Sequence, residues 1–575
     1  MLQVPIITNS SGKKRNKSLG KKGSIVWETP SRIIQTPEAL LNKDILHAIF
    51  EHFDLQPGSD TVAQARKDLL SAAKTCKAFV EPALNSLWRV LPSFLPLLLL
   101  LPSAEVHNNH LVSPRPFSCL SCCLTRVKFV DRLSSSNWER FDIHAPRVRT
   151  LYIGRCNIVV SPHVYLRIRS MRPRDTPLLP GLKEIHIPDN TSLDLSSALL
   201  LASDSSLSLV QLHNSATSDR QFCIPFLFLL SINSPKLGHL ALCETMDTPL
   251  DLSLVPRFRN LQSLELRLSG TYLSSQFLQD LGKLDDLLDM TLDTGPTQVS
   301  TTRPLTKQPR LTLPSVTNHS TFIKLRKLHI LGTPSSISRV LNEMNGLTNL
   351  TTLIIHAHDA GTEDSWQRCF VIISAFLAIE NMEITQSIPV PYWHSGHHGY
   401  ALSTSCFYPL YKLDNMTSFV INDSTLSGSD DDFRFLACAF PRLKKFVEPC
   451  AIYAEGRTLA CLGHFSQANA DLREIRISLS SDISKNLNAI DVPGRPIIQN
   501  HQHPLEKLYI ASHFGSLDLA DMIKVAQFLD LIFPNLSTLE SYHPDMTETS
   551  NWAKIQQIRL ALQAARINAS SASKI

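Results

Sequence analysis

The chain has 575 residues, of which 43% are hydrophobic and 19% are charged. These proportions exclude a disordered chain, and the length exceeds one compact core of ordinary size, so we expect several domains or one long repeat array. The net charge is +5, and residues 1–24 hold six Lys or Arg without an acid, which leaves the rest of the chain at −1. A balanced body lacks the basic face that general nucleic-acid binding requires, and we expect no nucleic-acid partner.

Residues 1–30 are predicted to form a disordered basic tail. Its segment KKRNKSLGKK is typical of a nuclear import signal, and the alternative is a solvated tail without a signal. The apolar stretch before these charges is too short for a secretory signal. The twelve Cys of the chain are therefore expected to be reduced, buried thiols, in a protein of the cytoplasm, the nucleus or both.

An amphipathic helix is predicted in the segment NKDILHAIFEHFD. Its apolar residues Ile45, Leu46, Ile49 and Phe50 recur at helical spacing and line one stripe. Asn42 is a suitable N-cap for this helix. A stripe of this kind is either the interior of a small domain or a contact for a partner, and composition does not separate the two.

A second apolar helical segment spans residues 68–91 and is interrupted near Pro82. The apolar run at residues 91–102 contains prolines and is shorter than the roughly 20 residues that a membrane-spanning helix needs. We therefore predict no membrane span. Residues 36–102 are predicted to form a small helical module with a connector, which gains burial by docking to a partner or to the next part of the chain.

These helices resemble the F-box, the module that binds the Skp-type adaptor of cullin ubiquitin ligases, and the run after them resembles that of fungal F-box proteins with repeat bodies. The chain departs from the family pattern at Asn42, where the family has Pro, and at Thr75, where it has Val. The resemblance implies a Skp-type adaptor, and through it a cullin, as partners. It also implies these adaptor-binding residues: Leu41, Ile45, Leu46, Ile49, Phe50, Leu69, Leu70, Cys76, Phe79 and Trp88.

From residue 124 onward, one six-residue pattern returns: an apolar residue, two variable ones, an apolar residue, one variable and an apolar residue. The fifteen copies span 412 residues in 14 intervals, which is a mean spacing of about 29 residues. The last two apolar positions alternate as in a half-buried strand. The copies begin at Leu124, Val148, Leu182, Leu207, Leu237, Leu261, Leu287, Leu325, Leu350, Ile379, Met416, Leu443, Leu472, Leu505 and Leu536.

The residues between copies leave room for a turn and a helix, as in SISRVLNEMNG, residues 336–346. One unit cannot bury its apolar edge alone, but stacked units share a core. We therefore predict a solenoid over residues 116–545, with a parallel inner sheet and outer helices, closed by a capping helix and tail at residues 546–575. The pattern resembles the leucine-rich-repeat family, although most copies lack its usual Asn after the strand. The alternative, a doubly wound α/β domain, seldom holds fifteen strands in one sheet.

Few segments carry a signal of chemistry. Nucleotide-binding loops and nucleophile elbows are missing from the sequence, so we predict no enzyme activity and no cofactor. CLSCC, residues 119–123, is predicted to hold buried thiols and no metal, because it lacks a second pair at zinc-finger spacing. YWHSGHHGY, residues 392–400, is a metal loop, a target contact or an indifferent loop. RIRSMRPR, residues 167–174, either seats an anion on Arg forks or is a solvated face.

The sequence thus favours a substrate-recognition subunit of a Skp–cullin–F-box type ubiquitin ligase, whose repeats bind an unknown protein target. The alternative is a leucine-rich-repeat scaffold whose N-terminal helices serve only as a cap. Residues between the two core positions of each strand are expected on the inner face: Tyr152, His186, Glu265, His329, Arg476 and Tyr509. Loop residues that could also bind the target are Arg167, Arg169, Arg172, Arg174, Trp393, His394 and His397.

Overall fold

The structure of the protein is a computed structural model. It describes residues 42–53, 55–56, 60–102, 104–108, 125–129, 138–153, 158–160, 162–172, 176–188, 195–204, 207–213, 215–244, 250–268, 273–294, 322–344, 346–386, 401–422, 425–448, 456–480, 482–490, 503–511, 517–541 and 551–572.

Fifteen strands form one sheet whose order follows the chain, and neighbouring strands run parallel. They are β1 (Val90–Leu91), β4 (Thr150–Tyr152), β6 (Glu184–Ile187), β7 (Leu209–His213), β8 (His239–Glu244), β9 (Ser263–Leu268), β10 (Asp289–Asp293), β11 (Lys327–Gly332), β12 (Thr352–Ala357), β13 (Asn381–Gln386), β15 (Ser418–Asn422), β17 (Lys445–Val447), β18 (Glu474–Ser478), β19 (Lys507–Ala511) and β20 (Thr538–Ser541). Smaller sheets hold β2 (Ala104–Asn108), β3 (Thr125–Phe129) and β5 (Ile158–Val160), and β14 (Ala401–Ser403) with β16 (Thr425–Ser427).

Helices connect most of these strands. They are α1 (Lys43–Glu51), α2 (Val62–Thr75), α3 (Lys77–Arg89), α4 (Leu95–Leu98), α5 (Glu139–His144), α6 (Pro162–Met171), α7 (Leu195–Asp204), α8 (Ser215–Ser218), α9 (Arg220–Asn233), α10 (Ser275–Leu281), α11 (Pro334–Glu343), α12 (Glu363–Ile373), α13 (Asp430–Ala439), α14 (Ala460–Ala468), α15 (Ile483–Ile490), α16 (Leu519–Ile532) and α17 (Asn551–Ala572). Among the described helices, none combines the length and the apolar composition that a bilayer crossing requires.

Each strand of the large sheet buries alternate side chains. In β9, Leu264 and Leu266 are fully buried, whereas Glu265 between them is half-buried on the opposite face. The helices pack on the buried face, so strand and helix residues form one continuous core along the stack. The predicted α/β solenoid, with a parallel inner sheet and outer helices, is confirmed.

Helix α11 shows how a repeat connects strand to helix. The helix was expected from Ser336 but begins at Pro334, because the side chain of Thr333 caps it by accepting a hydrogen bond from the Ser336 N–H. Pro at the first helical position has no N–H to leave unpaired. Its apolar residues Ile337 and Val340 then point into the core.

The turns before four of the strands are held by asparagines that the sequence pattern did not indicate. Asn349 donates its side-chain amide to the Ile323 carbonyl of the preceding repeat, at 2.7 Å. Asn260, Asn415 and Asn535 make the same contact one repeat apart, with the carbonyls of Pro235, Leu377 and His503. In each case the Asn directly precedes the first apolar residue of a copy. These bonds satisfy turn carbonyls that would otherwise need water or another donor.

Fourteen of the fifteen predicted copies lead into strands of the large sheet. The copy at Leu124 is the exception: β3 pairs with β2 and β5 in a separate three-stranded sheet, so its assignment to the solenoid sheet is wrong. The first strand of the large sheet is instead β1, at the end of the segment predicted to be helical up to Leu91. β1 is only two residues long, which is too short for an alternating pattern to reveal.

The C-terminal end of the stack is covered by α17, which packs on α16 and β20 and buries Trp552 and Ile555. Arg559 donates to the Leu536 carbonyl, and Arg566 pairs with Asp530 at 2.9 Å. A solenoid needs such a cover because its last repeat would otherwise expose its apolar edge.

Candidate functional site

Two surfaces of the chain are candidates for binding, and the first is a stripe on α1. Asn42 caps this helix by accepting a hydrogen bond from the Asp44 N–H at 2.9 Å. Leu46 and Phe50 turn inward and are buried. Ile45 and Ile49 lie beside them but stay 41% and 46% exposed. The predicted stripe is therefore divided: half of it builds the module, and half of it faces outward.

The buried half rests on the second and third helices. Phe50 meets Phe79 edge to face, with ring centroids 5.7 Å apart, and Leu69 is fully buried beside them. Leu46, Phe50 and Leu69 therefore support the exposed stripe and do not form its surface.

The other predicted adaptor residues differ in exposure. Leu70 is half-buried and Cys76 is exposed. Trp88 is half-buried against the repeat core and stacks on His144, with ring centroids 4.4 Å apart. Leu41 lies outside the described residues. Cys76 and part of Leu70 are therefore accessible, whereas Trp88 joins the module to the first repeat.

The helical module is fixed to the repeat body by covalent continuity and by hydrogen bonds. α3 ends at Arg89 and β1 begins at the next residue. Arg66 donates to the Val90 carbonyl at 2.9 Å, and Arg147 of the body pairs with Glu81 of α3 at 2.9 Å. The core of the module also includes Val90, with Tyr152 packed against it. A partner bound to α1 would therefore be held at a fixed position relative to the sheet.

The second surface is the inner face of the sheet, opposite the helices. In the large sheet, strand register places one residue of every strand after β1 in a single central row. All six residues predicted for the inner face lie in it. The row is Tyr152, His186, Gln211, Ala241, Glu265, Thr291, His329, Ile354, Glu383, Val420, Val447, Arg476, Tyr509 and Glu540.

At both ends of this row, neighbouring side chains of the row contact one another. At the N-terminal end, Tyr152 stacks on His186 at 4.5 Å between centroids, and His186 Nδ1 is 2.8 Å from Gln211 Oε1. At the C-terminal end, the Arg476 guanidinium lies 4.6 Å from the centroid of the Tyr509 ring. These contacts make both ends of the row preorganised.

Three histidines lie in or near the middle of the row. His329 lies in the central row on β11, His356 follows on β12, and His358 lies just beyond β12. His358 Nε2 is 3.2 Å from an oxygen of Asp293, and this hydrogen bond raises the pKa of His358. For His329, burial and then the cations Arg267, His356 and Lys327 lower the pKa to about 4. The surroundings therefore favour the neutral form of His329, whereas Asp293 favours the protonated form of His358.

The strand pattern of the sequence indicated His329 but neither His356 nor His358. The two do alternate with Ala357, so a signal was present: alternate strand residues point to the same side. The sequence does not show how neighbouring strands align side by side. This alignment brings Asp293, which is 65 residues away in the chain, to His358.

The arginines of the segment after β5 differ in burial and in their contacts. Arg167 and Arg169 are half-buried on α6. Arg172 forms an ion pair with Asp142, and its guanidinium lies 4.7 Å from the centroid of the Trp138 ring. The Arg172 side chain is therefore used to pack the first repeats, which leaves it little surface for a target. Arg174 lies outside the described residues.

The remaining loop candidates also fall outside the described residues: Trp393, His394 and His397, together with the CLSCC segment and the basic tail. The seven Cys within the described ranges are free thiols, but Cys76 and Cys438 are exposed, so the expected burial is wrong for these two. In those ranges, no group of three or more His, Cys, Asp or Glu side chains is arranged to hold a metal ion.

The strand order and the repeated segment define the chain as a leucine-rich-repeat solenoid. No family model and no curated protein matches it. Solved structures that it resembles include the TLR13–ssRNA13 complex, at 12% identity and a TM-score of 0.37, over 69% of this chain and 51% of that one. The Toll–Spatzle complex of Drosophila is matched at 12% identity and a TM-score of 0.35, over 72% of this chain and 43% of the other.

The leucine-rich repeat domain of APL1B is matched at 12% identity and a TM-score of 0.27, over 71% of this chain and 85% of that one. The chain spans about half the length of the first two structures. The assignment to the leucine-rich-repeat class rests on the chain's own parallel sheet and repeated segment.

Proposed function

We propose that the chain is a substrate-recognition subunit of a Skp–cullin–F-box type ubiquitin ligase. In this proposal, the helical module α1–α3 docks a Skp-type adaptor, and the inner face of the sheet holds a protein target. The chain carries no chemistry of its own, and its contribution is to bring the target close to the transferring enzyme.

The observation that supports adaptor docking is the divided stripe on α1. A helix that served only as a cap would bury its apolar residues or present polar ones to water. Ile45 and Ile49 instead form a small exposed apolar pair on a rigid support. Because both side chains are already more than half buried, covering each against a partner would contribute roughly half of the about 1.5–3 kcal/mol that full burial gives.

The experiment is a binding titration of full-length protein with a recombinant Skp-type adaptor. We expect the double variant Ile45→Asp with Ile49→Asp to bind at least about tenfold more weakly, because two carboxylates would have to be desolvated at the interface. Ile232→Asp on the outer helix α9 is the matched control, since Ile232 is also exposed, at 59%, and lies outside the module. Leu46→Asp is unsuitable, because Leu46 is 1% exposed and the change would unfold the module.

The alternative is a leucine-rich-repeat scaffold whose helical module only closes the N-terminal end of the stack. The burial of Val90 in the core of the module, with Tyr152 packed against it, favours this function. Failure of the folded, unmutated chain to bind any Skp-type adaptor would support the scaffold and exclude the ligase role. Equal binding by the double variant and the control would show that another face of the module docks the adaptor.

A further inference from the structure

One link between the C-terminal repeats is a buried histidine. His503 lies in the turn before β19 and is 1% exposed. Its Nδ1 accepts a hydrogen bond from the Leu505 N–H at 3.2 Å, and its Nε2 is 3.0 Å from the Asn469 carbonyl oxygen. A neutral imidazole has one N–H, so the proton is on Nε2, which donates to that carbonyl. These two hydrogen bonds form the C-terminal joint, in which both ring nitrogens are in use.

The joint connects successive repeats. Asn469 is the C-cap of α14 in the preceding repeat, and its own side chain donates to carbonyls of the repeat before that. On the other side, the Asn535 side chain donates to the His503 carbonyl at 3.1 Å. The Phe533 ring packs on the imidazole, with ring centroids 4.9 Å apart. The ring of His503 is therefore enclosed by backbone and aromatic groups.

Turns of other repeats are linked by groups that do not titrate. Asn260, Asn349 and Asn415 each donate a side-chain amide to a carbonyl of the preceding repeat. An amide keeps its donor hydrogens at any ordinary pH, whereas an imidazole changes its hydrogen-bonding pattern near neutral pH. His503 is thus a titratable counterpart of these amide links.

The closed joint does not accommodate a protonated ring. The imidazolium ion carries an N–H on both nitrogens, so its Nδ1–H would face the Leu505 N–H, donor against donor. Leu505 would lose its acceptor, and the positive charge would be enclosed away from water. In agreement with this geometry, burial lowers the pKa of His503, and the hydrogen bond to the Asn469 carbonyl offsets this effect only in part.

Charged groups on the elements around the joint are largely paired with one another. Arg473 and Glu506, on the turns before β18 and β19, lie 3.0 Å apart. Asp530 of α16 pairs with Arg566 of α17 at 2.9 Å. Further titratable or charged groups on these turns and helices are Asp471 and Lys507, which are exposed, His464 on α14, which is half-buried, and Arg559, which is buried. Within the described residues, none of these adds to the influences of burial and of Asn469 on the His503 ring.

We propose that His503 is an acid-sensitive switch in the repeat stack, and that its protonation opens the C-terminal joint as the pH falls from neutral to mildly acidic. Opening also loosens the C-terminal end of the inner face, because Arg476 on β18 and Tyr509 on β19 lie on the two sides of the joint. This inference rests on the fold and is independent of the ubiquitin role.

The direction of the pH dependence follows from linkage. The His503 pKa is lowered in the closed joint and returns to about 6.5 in an opened, hydrated one. The joint is therefore fully stable above about pH 6.5, and it loses stability as the pH falls from there towards the closed-state pKa. Asp530 acts in the opposite direction: burial raises its pKa, so acid favours the closed state at that position.

The test is hydrogen–deuterium exchange of the full-length protein, followed by mass spectrometry at about pH 7.5 and about pH 5.5. Protection is corrected for the intrinsic exchange rate at each pH. The amides of β19 are compared with those of β9, whose turn is linked by Asn260. We expect the protection of β19 relative to β9 to fall about fivefold to tenfold on acidification, because the opened state binds a proton that the closed state excludes.

Three variants assign the effect. His503→Asn keeps an oxygen acceptor for the Leu505 N–H, and His503→Gln keeps an amide donor for the Asn469 carbonyl, but neither titrates. In both, the protection of β19 relative to β9 should be the same at the two pH values. His464→Gln removes the half-buried histidine of α14 and is the matched control, which should lose protection on acidification as the unmutated chain does.

Equal relative protection of β19 at both pH values in the unmutated chain would overturn the switch, and this result does not depend on the folding of any variant. A loss in His503→Asn or His503→Gln as large as that of the unmutated chain would assign the effect to another group and would also overturn it. Since the exchange measurement uses neither adaptor nor target, its failure is distinguishable from failure of the ligase proposal.

Discussion

The helices α1 and α11 have the same kind of apolar stripe in sequence but opposite surroundings in the structure. In α11, Ile337 and Val340 are completely buried. In α1, Ile45 and Ile49 remain exposed, although Leu46 on the same stripe is buried. α11 lies between α10 and α12 and against β11, whereas α1 packs on α3. The number of neighbouring elements therefore decides whether a stripe becomes interior or surface.

This difference also separates the roles of the two regions. The repeat body uses its helical stripes to hold consecutive units together, and each unit has a neighbour on both sides. Among the described residues, the N-terminal module contacts the body along α3 and β1, and none of these contacts covers Ile45 and Ile49. The uncovered part is the candidate contact for a partner.

The strongest test of this comparison places the same charge in both stripes. Ile337→Asp should lower the free energy of unfolding by more than about 4 kcal/mol, because it buries a carboxylate without a partner. Ile49→Asp should cost no more than about 1 kcal/mol, mostly through an unfavourable charge near the helix C-terminus. Urea-induced unfolding of the full-length variants measures both. Similar losses at the two positions would mean that α1 is as enclosed as α11, and the comparison would fail.

The second test uses the buried ion pair between Glu448 and Arg457, both of which have about 1% exposure or less. Glu448 also accepts from the Ser478 N–H at 2.6 Å, and Arg457 donates to the Leu426 carbonyl at 3.0 Å. Arg457→Met should cost about 3–5 kcal/mol, because it leaves a buried carboxylate without its cation.

This loss should depend on pH in a defined direction. Burial already raises the pKa of Glu448, and removal of the cation raises it further. A raised carboxyl pKa means that the folded state binds more protons than the unfolded state, so acid stabilises the variant relative to neutral pH. The cost of Arg457→Met measured by urea unfolding should therefore shrink as the pH falls. A pH-independent cost would show that lost packing, and not the unpaired charge, dominates.

The smallest expected effect compares a buried with an exposed asparagine side chain, each of which donates hydrogen bonds to backbone carbonyls of a neighbouring repeat. Asn469 is fully buried and donates to the carbonyls of Ala437 and Phe440, at 3.1 and 2.6 Å. Asn469→Ala should cost about 1–3 kcal/mol, because two buried carbonyls lose their donor. Asn349→Ala removes an exposed hydrogen bond, which water can replace, and should cost only about 0.5–1.5 kcal/mol. The midpoint of thermal unfolding ranks the two, and the reverse order would contradict burial as the reason for the difference.

Much of the body could be predicted from the sequence, because the same six-residue pattern recurs in copy after copy. Each copy, such as the one at Leu261, is weak alone, but a spacing of about 29 residues recurring along the chain indicates one stacked unit. The copy at Leu124 shows the limit of this reasoning. Its six residues fit the pattern, yet β3 pairs in a small sheet of its own, because pairing depends on which strand lies alongside.

The candidate site was predicted less completely. Alternation placed His329 on the inner face, and register then set it between Thr291 on β10 and Ile354 on β12. Contacts such as that between His358 and Asp293 link residues 65 positions apart. Charge, pKa and partner at these positions depend on such lateral neighbours, which a linear pattern does not contain.

By itself, the sequence determined the unit of the fold: the alternation that makes a strand, the spacing that leaves room for a helix, and the amphipathic stripe of α1. These features are local, because they arise from the side-chain periodicity of helices and strands and from the preference of apolar side chains to leave water. Only the tertiary structure decided which half of that stripe stays exposed, that α3 runs directly into the first strand, and which histidine receives an acid. Those outcomes depend on the lateral stacking of distant segments, and burial and charge are properties of that stacking.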